Sequence, residues 1–152
     1  MSKTDISSAE LTAAPVELKA GERTYLMHPL TEKDFGEFER WVRSLTIQTG
    51  RDACEGIEDE EGRQEVLQAA FAAAAKISLS SPECKASMRT VEGVQRLVWY
   101  SLRRGDGRLT LEKSREVVNA AGGLGVVSAR LNEVMPKAAK GEPSKNEAAA
   151  VQ

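Results

Sequence analysis

A chain of 152 residues is the size of one domain and long enough to bury a real core. Hydrophobic residues (41%) and charged residues (29%) stand at ordinary levels for a soluble globular protein, but aromatics are only 5%, so Ala, Leu and Val must carry most of the interior. The formal net charge of -2, with acids and bases interspersed, argues against a nucleic-acid binder, which would carry a basic face. No apolar run approaches the roughly 20 residues that cross a bilayer. The opening "MSKTDISSAEL" lacks the apolar stretch of a secretory signal. Cys54 and Cys84 fall in expected loops without disulfide-scaffold or zinc spacing, which predicts free thiols in a reducing, cytoplasmic compartment.

Residues 1–14 are small and polar, and the tail "KAAKGEPSKNEAAAVQ" (137–152) has no large apolar side chain. Neither end can bury enough surface to offset its ordering entropy, so both are expected to be flexible around a single globular domain at 15–136. In "VELKAGERTYLMHPL" the apolar positions alternate: Val16 and Leu18, then Tyr25 and Met27. "KAGER" supplies a turn in which Gly21 is free to take positive φ, which predicts a β-hairpin. A lone hairpin is marginal in water, so its apolar face must lie on something else.

Thr31 then opens a helix, with Asp34 three residues on as a variant capping box. Phe35, Phe38, Val42 and Leu45 form one apolar stripe, flanked by Trp41. "TGRDACEGIEDEEGR" breaks the pattern. A second helix is expected over about 58–77, with Val66, Leu67, Ala70, Phe71, Ala74 and Ile77 as its buried face. Its small residues would let another helix approach closely. "SLSSPECKAS" reads as a loop with Pro82 as its stop. A third helix covers about 90–103, turning Val91, Val94, Leu97, Val98 and Leu102 inward with Trp99 and Tyr100 alongside. Thr110 caps a fourth that ends at Gly122 and Gly123, and a fifth runs over about 126–134. The pattern predicts a mainly α (α+β) protein, an N-terminal β-hairpin packed on a bundle of about five helices.

Chemistry-bearing arrangements are scarce. His28 is the only histidine, and nothing beside it offers a nucleophile, so a structural or exposed imidazole is the expectation. "RRGDGRLTLEK" resembles a calcium loop only superficially, since cations and apolar residues occupy positions that need carboxylates. "AAGGLGVV" follows a helix rather than a strand, so it reads as a helix–helix turn and not a phosphate loop. Glu58, Asp59, Glu60 and Glu61 read as helix-start carboxylates. No nucleophilic, metal or cofactor chemistry is indicated, and a non-enzyme is expected. Candidate partner-binding residues are the aromatics Tyr25, Phe38, Trp41, Trp99 and Tyr100. Trp41 and Trp99 neighbour inward positions rather than occupying them, so core packing and an interface role both stand.

The segments "GERTYLMHPLTEKDFGEFE", "RLVWYSLRRGDGRLTLEKSREVVNAAGG" and "ARLNEVM" carry a resemblance to the tail assembly chaperones of long-tailed bacteriophages and prophages, over roughly residues 16–135. Those proteins begin with a short hairpin leading into an "LT..D" helix and later carry an "LT.EE" helix; here the second reads "LTLEK". The resemblance implies a non-enzymatic role in virion morphogenesis. Such a protein binds the tape-measure protein and keeps it soluble until tail tube subunits polymerise around it, in the host cytoplasm. Homo-oligomers fit this picture, whereas nucleic acid and membrane do not. In that family a translational frameshift can append a longer C-terminal extension. The rival expectation is a structural virion component, a tail-completion or head–tail connector protein that self-assembles and stays in the particle.

Overall fold

Alternation along residues 16–27 does produce a hairpin. The structure, a computed structural model, describes residues 14–136, so the ends expected to be flexible lie outside it apart from Ala14. Strand β1 (Val16–Ala20) pairs antiparallel with β2 (Arg23–Met27), setting Val16 opposite Met27, Leu18 opposite Tyr25 and Ala20 opposite Arg23. Gly21, the first of two loop residues, has φ 64°, the position where a type II′ turn requires a positive value. Leu18, Ala20 and Met27 on one face are buried, while Glu17, Lys19, Thr24 and Leu26 on the other are exposed.

The described residues form two compact units, one continuous over Glu32–Gly93 and one split, made of residues 14–31 together with 94–136. In the split unit, β1 packs on helices α5 (Leu111–Ala120) and α6 (Leu124–Val134), and β2 packs on α6. Those helices bury Val117, Val118, Val127, Leu131 and Val134. Helix α4 (Val91–Arg103) contributes Leu97, Val98, Tyr100 and Leu102 to the interior. Its buried Ser101 is tied to the end of the hairpin twice: the His28 amide donates to the Ser101 carbonyl (3.1 Å), and Ser101 Oγ donates to the His28 carbonyl (2.7 Å). Two hydrogen bonds thus satisfy groups that would otherwise be costly to bury.

Thr110 caps α5 by accepting from the Lys113 amide at 3.1 Å. The helix ends in a Schellman motif: Gly123 N–H reaches Val118 O and Gly122 N–H reaches Asn119 O. Both glycines have positive φ (113° and 102°), so "AAGGLGVV" is the expected helix–helix turn.

In the continuous unit, α1 (Glu32–Cys54) and α2 (Glu60–Ala75) run antiparallel. Three contacts mark the alignment: Cys54 Sγ donates to Arg63 O (3.4 Å), Gly50 meets Ala70, and Arg43 donates two bonds to Ile77 O (3.1 and 2.9 Å). A Cβ on Gly50 would overlap that of Ala70, so the small residues of α2 do admit a close neighbour. Gly50 is therefore a packing residue and not a break, and α1 continues through it for 23 residues.

Three further sequence expectations are corrected. Leu45 and Phe71 are 37% and 49% exposed, because the buried face of α1 runs through Phe38, Val42, Gly50 and Cys54 and that of α2 through Ala70 and Ala74. Val91 is 60% exposed, since it is the first residue of α4. Pro82 opens a short helix, α3 (Pro82–Ser87), where its missing N–H has no bond to lose, and α3 packs on α1. Cys54 and Cys84 accordingly lie in helices, both as buried free thiols. Burial first, then Glu39 and Glu83, pushes the Cys84 thiol up against the opposing pull of Arg43, which keeps it protonated.

The expected mainly α architecture with an N-terminal hairpin packed on helices is the one observed. Six helices stand among the described residues where about five were expected, α3 being the addition.

Candidate functional site

The aromatics expected to mark a partner surface fall into two pairs. Phe38 and Trp41, three residues apart on α1, bring their rings to 5.2 Å between centroids at 58°. Phe38 is wholly buried and Trp41 partly exposed. In the split unit, Trp99 and Tyr100 lie 5.5 Å apart, with Tyr100 buried and Trp99 partly exposed. Tyr25, on the packed face of the hairpin, is also partly exposed.

Trp99 is already engaged within its own unit. Its indole N–H donates to Leu109 O at 2.7 Å, fastening the turn before α5 to α4. The Arg103 guanidinium stacks 4.8 Å from the Trp99 ring and 4.4 Å from that of Tyr100, a pair of cation–π contacts. Both tryptophans thus keep part of their ring at the surface, each beside a buried aromatic neighbour.

Sequence reasoning placed Phe71 inside, but it is the more prominent surface feature. Ala69, Phe71, Ala72, Ala73 and Ala75 are all exposed along the last two turns of α2. From Ala69 to Ala75 that helix has no polar residue, so it is apolar all round, and one packed face leaves the rest uncovered. That lack of a polar side was the legible signal.

His28 sits at the junction of β2 and α4. Its Nε2 is buried without a hydrogen-bond partner, and a Cβ on Gly105 would come within 3.2 Å of it. Burial and, second, the Arg104 charge lower its pKa from the usual 6.5. The folded chain therefore binds this proton less readily than the unfolded chain. Stability attached to His28 is full above about pH 6.5 and falls as the pH drops below it. The urea midpoint should drop more between pH 7.5 and 5.5 in the native chain than in His28→Gln. Equal drops would show that His28 is not the titrating group.

Asp59 caps α2 by accepting from the Gly62 amide (3.0 Å), with Glu60 and Glu61 in the first turn. Asp106 Oδ1 accepts from the Arg108 amide (3.1 Å), closing the "RGDGR" turn. Among the described residues no three His, Cys, Asp or Glu side chains are grouped so as to hold a metal ion. Among them, too, no helix is long and apolar enough to cross a membrane. No family model, curated protein or solved structure matches the chain.

Proposed function

We propose that this chain is a non-enzymatic phage tail morphogenesis factor that binds the tape-measure protein during tail assembly. The reading rests on the resemblance of its hairpin and "LT" helix starts to that family. The observation that supports it is the exposed apolar end of α2, with Phe71 at 49% exposure amid exposed alanines. A large side chain on a small-residue surface suits an amphipathic helix laid along it, and a tape-measure protein is long, helical and rich in such segments. Trp41 would supply a second anchor.

Tagged chain should be recovered from phage-producing cells with the tape-measure protein bound, and finished particles should lack the chain. Phe71→Glu changes an exposed position and should leave the fold intact while weakening that association about tenfold or more, the scale of an interface anchor. Recovery without any tape-measure protein would overturn the reading. Stoichiometric presence in particles would replace it with the virion-component reading.

A further inference from the structure

A cleft of about 440 Å³ opens in the split unit between the hairpin loop and the start of α5. Leu109 and Val117 contribute to an apolar floor. Three cations from three separate segments stand around it: Arg23 at the start of β2, Arg108 in the turn before α5, and Lys113 in the first turn of α5. Two acids, Asp106 and Glu116, share the rim. Among the described residues the side chains of Arg23, Arg108, Lys113 and Glu116 form no ion pair or hydrogen bond.

Three like charges gathered around a concavity repel one another, and low-dielectric walls concentrate their field on whatever enters. A carboxylate answers that field, since a guanidinium binds it through two parallel hydrogen bonds. The two rim acids oppose a compact, doubly charged anion such as phosphate. The apolar floor, in turn, calls for aliphatic carbon next to the charge. The geometry points to a site for an acidic, apolar peptide segment of a protein partner. Its carboxylate is held by Arg23, Arg108 and Lys113, and a neighbouring aliphatic side chain lies on Leu109 and Val117. This site is made of residues other than Phe71 and Trp41 and does not depend on the tape-measure reading.

The test is a titration of isotope-labelled full-length chain, followed by amide chemical shifts, with N-acetyl-Leu-Glu-Glu-Leu-amide, its Gln-Gln counterpart and inorganic phosphate. The acidic peptide should give saturable shifts at Arg23, Leu109 and Lys113. The Gln-Gln peptide should bind about tenfold more weakly, as expected for loss of charge-assisted hydrogen bonds. The exposed double substitution Arg108→Glu with Lys113→Glu should abolish the shifts while the remaining spectrum reports an intact fold, and Arg23→Glu should weaken them independently. Absence of saturable shifts, shifts confined to other residues, or equal affinity for the two peptides would overturn the proposal. Phosphate binding as tightly as the acidic peptide would overturn it too, leaving a simple anion site. Recovery of the tape-measure protein bears on the earlier reading alone, so the two fail separately.

Discussion

Phe38→Ala is expected to lower the unfolding free energy by about 3–5 kcal/mol. Against a total of roughly 5–15 kcal/mol for a domain, that is a large fraction. The ring is wholly excluded from solvent, one turn from the buried Val42 and in contact with the Trp41 ring. Two features resist collapse of the vacated space. Arg43 clamps α1 to the Ile77 carbonyl, and the same arginine is paired with Glu39 at 2.7 Å. Urea unfolding followed by circular dichroism measures the loss, and the fluorescence of Trp41 should change with its neighbour removed. Val91→Ala, at a 60% exposed position, should stay within about 0.5 kcal/mol of the native chain. A comparable small effect for Phe38→Ala would show that the ring is not structural.

The second large effect is expected at Gly93. A Cβ there would overlap the backbone carbonyl of Ser87, the last residue of α3. That carbonyl is held in place, because the Thr90 amide (3.2 Å) and Thr90 Oγ1 (2.7 Å) both donate to it. Thr90 Oγ1 in turn accepts from the Gly93 amide (3.0 Å). The obstacle is therefore backbone inside a closed hydrogen-bonded turn, which cannot rotate away as a side chain could. Alanine has better helix propensity than glycine by about 1 kcal/mol, but Gly93→Ala should nonetheless destabilise by about 3 kcal/mol, the upper end for overpacking. Gly125 is the control: it lies inside α6 with open space where a Cβ would go. Alanine there should stabilise by about 0.5–1 kcal/mol. If both substitutions moved thermal unfolding upward, the tight α3–α4 turn would be wrong.

Features encoded within a few residues were legible. Strand alternation with Gly21 gave the hairpin, Thr110 and Asp59 announced their helices, and Gly122 with Gly123 ended one. What escaped depends on distant partners. Gly50 costs α1 helix propensity, and the compensating approach of Ala70 comes from twenty positions along the chain. Pro82 punctuates equally well as a stop or as a first-turn residue, and only the helix after it decides. Phe71 fitted the inward stripe of α2 because a helix apolar on all sides carries no periodic mark of its packed face. The sequence also proposed aromatics as a partner surface where Phe38 and Tyr100 are interior, and overlooked the cations of the cleft, because these lie in separate segments that only the fold brings together.

The continuous unit interrupts the split one, and this orders events during synthesis. The hairpin is the first described element to emerge, yet its packing partners α5 and α6 begin only at Leu111 and Leu124. Residues 28–110 must be made in between, which at ribosomal speeds takes on the order of ten seconds. Throughout that interval Leu18 and Met27 face water, on a two-stranded ribbon too small to hold itself together. The continuous unit meanwhile has all of α1, α2 and α3 available as soon as it is translated, and its contacts are close in sequence. The first of the described elements to be made is thus among the last to find its place, held back by a stretch that can fold while the hairpin waits.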